Sequence, residues 1–164
     1  MEEHEYGRIV FFHEIEEDVK GWIEKDIRVV GTLKYIQLST ETAILEQYLN
    51  NSKHHLIVDT QIIDNFGQYC IGDVIEIIGK LTWDDTSGPG IISRSSQLPP
   101  EFRVKLSEDA LQKRPPMVRA YVIRDVQGVN MTLYQEVTKL RRQFASKFDA
   151  LMESEELKGE NTRV

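Results

Sequence analysis

Seven apolar residues near the C-terminus, Val129, Leu133, Val137, Leu140, Phe144, Phe148 and Leu151, follow one another at spacings of three or four. At about 3.6 residues per turn they line one face of a single helix, predicted over residues 128–157. Lys139, Arg141, Arg142 and Lys147 fall mainly off that face. The helix directly follows a β-rich run, and this order constrains the remainder of the chain. A small sheet domain has little core to spare for so long an apolar face. The stripe therefore calls for a cover from outside, namely a helix of another protein.

The rest of the chain reads as a β domain. Residues 27–38 (IRVVGTLKYIQL), 42–49 (TAILEQYL), 54–59 (HHLIVD), 73–83 (DVIEIIGKLTW) and 117–126 (MVRAYVIRDV) are five predicted strands. Gly31 and Gly79 interrupt the first and fourth and mark bulges or sharp bends. Residues 60–68 are predicted to form a short helix with Thr60 as its N-cap. Alternation puts Ile75, Ile77, Gly79 and Leu81 on one side of the fourth strand. In the fifth, Val118, Ala120 and Val122 oppose Arg119, Tyr121 and Ile123. Five strands with bends in the first and fourth and a short helix between the third and fourth are the layout of an OB-fold. The predicted class is therefore all-β with helices, a five-stranded OB-fold barrel plus a long C-terminal amphipathic helix. The competing architecture is an α+β domain with an antiparallel sheet.

Four segments follow from this reading: an acidic extension at 1–26 packed on the barrel, the OB-fold at 27–126, a dimerisation helix at 127–157, and a flexible tail at 158–164. The OB-fold carries a long insertion at 84–116, which opens with DDTSGPG and holds two Pro-Pro pairs. A connection of that length exceeds a hairpin and either flanks a ligand groove or is an idle insertion. Residues 107–113 (SEDALQK) are a candidate helical turn within it.

The 164-residue chain is 40% hydrophobic and 29% charged, ordinary for a soluble globular protein of one domain with extensions. No apolar run approaches the roughly 20 residues needed to span a bilayer, and no signal-like segment opens the chain. The sequons at Asn50 and Asn130 accordingly read as chance matches. A single cysteine, Cys70, excludes an internal disulfide framework, suits a reducing compartment and is expected to be a small buried residue. The net charge is −7, and most of it lies in residues 1–26. An acidic leader on a near-neutral body argues against strong general affinity for nucleic acid, although the balance of one face matters more than the total.

No catalytic or metal-binding chemistry is expected. His54 and His55 are neighbours in a strand and point to opposite faces. His13-Glu14 begins like a zincin motif, but Glu17 stands where the second histidine would be. There is no Walker loop, nucleophile elbow or zinc spacing. The chain is read as a non-enzyme without cofactor or metal. A binding face remains, because single-strand sites on OB-folds combine aromatic platforms with cations. The DNA-binding candidates are Lys34, Tyr35, Lys80, Arg119 and Tyr121. The competing role for each aromatic is barrel filling or an interface.

The runs GRIVFFHEI, IRVVGTLKYIQL, DVIEIIGKLTW and VRAYVIRDVQGVNMTLYQEVTKLRRQF together resemble the smallest, Ten-family subunit of the CST telomere complex, most characteristically over residues 118–144. Two features depart from that family: the length of the 84–116 connection and the tail beyond Met152. The resemblance implies an obligate heterodimer with a larger Stn-like OB-fold subunit through C-terminal helices, with Val137, Leu140, Arg141, Phe144, Phe148 and Leu151 at the seam. It implies weak binding of single-stranded telomeric DNA, location in the nucleus at chromosome ends, and no membrane contact. A replication-protein-A-like small subunit and an interaction scaffold without nucleic-acid contact are the alternatives. Within the helix, Val129 and Leu133 are expected to plug the barrel's end while Leu140 onward meets the partner.

Overall fold

The computed structural model describes residues 7–84, 94–102 and 115–160, with side chains of the last helix through residue 152. The helical turn expected at 107–113 and the end of the expected tail, 161–164, lie outside the described residues, as do the first six residues of the acidic extension. The chain divides into two compact units between Gln127 and Gly128.

In the first unit, β1 (Arg8–Ile9) leads into two short helices, α1 (Phe12–Glu17) and α2 (Val19–Trp22). The strands β2 (Asp26–Gln37), β3 (Thr42–Leu49), β4 (Ser52–Asp59), β5 (Val74–Trp83) and β6 (Pro116–Asp125) follow. Pairing runs β1-β2-β3-β4-β6-β5, and β5 also pairs with β2, so the five long strands close into a ring. All pairs of the ring are antiparallel except β4–β6, where Ile57, Val58 and Asp59 run parallel to Met117, Val118 and Arg119. Inward residues such as Ile27, Leu33, Leu45, Val58, Ile77 and Val118 are fully buried and form one core. The alternation of each strand is what makes such a core possible.

Two extra residues set which side chains face out. In β2, Leu33 pairs with Leu45 and Tyr35 with Ile44, so Lys34 is left over. In β6, Ala120 pairs with Gly79 and Val122 with Ile78, so Tyr121 is left over. A bulge adds one residue and reverses the alternation beyond it. Ile123 consequently packs on the core and Val122 is exposed, the opposite of the strict alternation predicted for β6. The β2 bulge sits at Lys34 rather than at the predicted Gly31. Gly31 has another reason to lack a side chain, since a Cβ there would stand 2.9 Å from the Phe12 ring. At Gly79 a Cβ would lie 2.2 Å from the Arg119 carbonyl oxygen, so strands β5 and β6 approach there as only glycine allows.

The N-terminal segment is a structural part of the barrel. β2 pairs with β5 over its first half and with β3 over its second, which leaves a gap where β3 parts from it. Here β1 pairs parallel to Ile27 and Arg28, and the Val10 N–H donates to the Arg28 carbonyl. The buried Gln47 amide completes the seam, donating to the Val30 carbonyl at 3.0 Å and accepting the Phe12 N–H at 2.9 Å. Val10, Phe12 and Ile15 thereby join the core.

Two local expectations fail. Residues 60–68 contain one 3-10 turn, Phe66–Gln68, and no capped helix. Asn65 adopts a left-handed φ of 59°, which ends any right-handed continuation. Cys70 is exposed rather than buried, in the turn held by its N–H to the Asp73 carboxylate.

In the second unit, α3 (Met131–Glu160) starts three residues after, and ends three residues beyond, the predicted bounds. Asn130 caps it, its side-chain oxygen accepting the Leu133 N–H at 3.0 Å.

Candidate functional surfaces

On the outer side of β3 and β4, Ile44 and Ile57 form a second apolar cluster with Met117 and Leu98. Tyr35 and Phe102 pack against it. Tyr35 reaches this face because the Lys34 bulge reverses the alternation of β2. Leu98 and Phe102 belong to the 84–116 insertion, so its described part, residues 94–102, lies on the barrel. Leu98 is 1% exposed. The Phe102 ring stands 5.9 Å from Tyr35 and meets His55 edge-on at 5.2 Å.

Beside this cluster the Asp59 carboxylate is wholly buried at the end of β4. Arg94 grips it with two N–H donors, at 3.1 and 3.2 Å. The Arg119 Nε donates to the same carboxylate at 3.4 Å, and the Gln61 N–H at 3.0 Å. Asp59 thus ties together β4, β6 and the insertion. On β3, Glu46 is met by Lys34 at 3.3 Å, His55 at 3.0 Å and Lys53 at 3.9 Å. Burial works against the Glu46 charge. The hydrogen bonds from His55 and Lys34 and the charges of Lys34 and Lys53 outweigh it and hold the carboxyl below the usual glutamate range.

The DNA-binding candidates are therefore not one open groove. Lys34 and Tyr35 sit on β2, the first ion-paired and the second against Phe102. Lys80 and Arg119 are register partners on β5 and β6, with Arg119 turned to Asp59. Tyr121, at its bulge, is exposed. Asp59, Arg94 and Phe102 were not picked from sequence: an aspartate at a strand end reads as a turn residue, and the other two lie in the insertion. Among the described residues no group of three or more His, Cys, Asp or Glu is placed to hold a metal ion. No described helix is long and apolar enough to cross a membrane.

The stripe is exposed from Val129, just before α3, through the helix to Leu151. Val129 is 38% exposed, Leu133 57%, and Phe144 68%; Val137, Leu140, Phe148 and Leu151 all exceed half. Arg141 is exposed as well. The buried positions, Gln135 and Thr138, are polar and fall on the opposite side of the helix. Thr138 satisfies its hydroxyl by donating to the Tyr134 carbonyl at 2.8 Å.

A five-strand ring in this order, with one parallel closure and a 3-10 turn between the third and fourth ring strands, defines an OB-fold protein. The chain is 12% identical to a chain of the S. pombe Stn1-Ten1 complex, covering 84% of this chain and 92% of that one with a TM-score of 0.52. It is equally 12% identical to the S. pombe telomere capping protein Ten1, over 84% and 98%, with a TM-score of 0.51. A chain of U. maydis replication protein A bound to single-stranded DNA is 13% identical over 87% and 95%, TM-score 0.50. No curated protein sequence matches. The model of the telomere-capping CST complex subunit family matches residues 3–147, and the chain belongs to that family.

Proposed function

We propose that this chain is the small subunit of a telomere-end complex, paired through α3 with a larger Stn-like OB-fold protein and holding single-stranded DNA weakly by itself. The observation that carries the reading is the exposed apolar stripe from Val137 to Leu151. Covering such a face with a partner removes apolar surface from water, worth roughly 25 cal/mol per Å² before the costs of association. Arg141, beside the stripe, would pair with an acidic group at the rim. Family membership supports the telomeric role, and with it the placement at chromosome ends in the nucleus. The protein acts by binding rather than by catalysis, and the assembled complex supplies the DNA affinity that the subunit lacks.

Co-expression with an Stn-like subunit tests the pairing. Leu140→Glu and Phe144→Glu each abolish co-purification while leaving the isolated chain folded, since both side chains face solvent. Pairing that survives both substitutions would show that the partner sits elsewhere.

The scaffold reading has its own supporting observation. The barrel's cations are largely spent on internal carboxylates: Lys34 on Glu46, Arg119 on Asp59, and Arg28 and Arg124 on Glu76. A titration of the heterodimer with single-stranded DNA separates the two. Weakening by Arg119→Ala or Tyr121→Ala supports DNA contact, and unchanged affinity supports the scaffold.

A further inference from the structure

We infer that residues 94–102 are an internal occupant of the barrel's nucleic-acid face, which single-stranded DNA must displace in order to bind. The inference rests on the proposed weak DNA binding and gives a physical cause for the weakness. In OB-folds oligonucleotides lie across the second and third strands, flanked by the first and last inter-strand loops. Here those strands are β3 and β4, and the last such loop is the insertion itself. Its described part is folded back over the face it would otherwise flank.

The segment occupies the positions a ligand would use. Phe102 lies against Tyr35, the aromatic on which a base would stack. Leu98 is buried on Ile44, Ile57 and Met117. Arg94 takes the Asp59 carboxylate, which Arg119 also reaches. The Arg94, Leu98 and Phe102 side chains are among the segment's contacts. Residues Arg94–Gln97 and Pro100–Phe102 form two 3-10 turns, and neither adds a strand to the sheet. A segment held this way can leave without breaking the barrel's backbone pairing. An occupant that leaves the face open one-tenth of the time weakens the apparent DNA affinity about tenfold.

The experiment measures binding of the full chain to fluorescent oligothymidylate of about 12 nucleotides, within the span of one OB-fold. Phe102→Ala, alone and with Arg94→Ala and Leu98→Ala, loosens the segment without altering any strand residue. The expected result is about tenfold tighter binding by the triple variant and a smaller gain for Phe102→Ala alone. Adding Tyr35→Ala to either variant removes the gain. Unchanged or weaker binding by both variants overturns the inference. Hydrogen exchange of wild-type protein provides a readout without mutation. Faster exchange at amides 94–102 on adding the oligonucleotide supports displacement, and slowed or unaltered exchange overturns it. If release adds nothing while Arg119→Ala weakens wild-type binding, the occupant falls and the DNA reading stands. If neither wild type nor variants bind, both fall.

Discussion

Asp59 provides the strictest test of how the insertion is held. Its carboxylate is fully buried and serves two arginines under different conditions. Arg94 approaches with two N–H donors at 3.1 and 3.2 Å, and only 13% of its side chain is exposed. Arg119 makes one long contact of 3.4 Å with 40% of its side chain exposed. A charged, two-pronged hydrogen bond sheltered from water should couple by about 2 kcal/mol. A single long contact in partial contact with solvent should couple by about 0.5 kcal/mol. Asp59→Ala should cost about 1–2 kcal/mol, because Arg94 can follow its displaceable segment into water rather than stay sheltered without a counter-charge. Urea denaturation of the three single variants and the two aspartate–arginine pairs gives both couplings by double-mutant cycles. Raising the salt to about 1 M should erase the Arg119 coupling and spare most of the Arg94 coupling, because screening acts on exposed charges. An Arg119 coupling equal to or above that of Arg94 would refute the burial argument. So would an Arg94 coupling under about 0.5 kcal/mol.

Three further outcomes follow from the barrel. Gln47→Leu should cost about 2–5 kcal/mol, as the Val30 carbonyl and the Phe12 N–H each lose a buried partner; a loss below about 1 kcal/mol in urea denaturation would mean the seam is not held by this amide. Gly79→Ala should cost about 3 kcal/mol by forcing β5 and β6 apart at the Arg119 carbonyl, visible as a lowered urea midpoint. Glu46 ionises more readily folded than unfolded, so its contribution is complete above the ordinary value of 4.5 and is lost as pH falls from there through the lower, folded value. The stability gap between wild type and Glu46→Gln should accordingly shrink below pH 4.5, and a gap that stays constant there would contradict the assignment.

The strand ladder was legible because turn residues punctuate it. Ser39, Thr40 and Glu41 separate β2 from β3, and the predicted bounds 42–49 coincide with Thr42–Leu49. The bulges were harder to see, because one extra residue leaves the composition of a strand unchanged. Their trace in the sequence is the adjacent apolar pair Val122-Ile123, which breaks alternation just after Tyr121. The acidic extension was expected to pack on the barrel, but no local pattern could show that Phe12 and Ile15 enter the core beside a seam between β2 and β3. Thr60 resembled an N-cap in isolation, but its N–H is bonded to the Glu41 carbonyl and extends the β3–β4 ladder by one rung. Among the site candidates, Arg119 and Lys80 were rightly read as outward. No periodicity could show that Arg119 is held by Asp59, since the contact spans 60 positions. The α3 stripe was plain from spacing alone, whereas the polar character of its buried side was not, because Gln135 and Thr138 look like ordinary solvent-facing helix residues.

The closure of the ring by β6 carries a consequence for the order of folding. β6 supplies both the parallel partner of β4 and the long antiparallel partner of β5. Until synthesis has passed Asp125, β2 to β5 can form only an open sheet with two raw edges, the kind of surface that recruits other chains. The stave formed by residues 8 to 12, although made first, has its seam fixed only when β2 and β3 are in place. The stripe of α3 comes next in the chain after the strand that seals the barrel. A growing chain therefore displays its adhesive helix only once its sheet edges have partners, which separates in time the two ways it could associate wrongly.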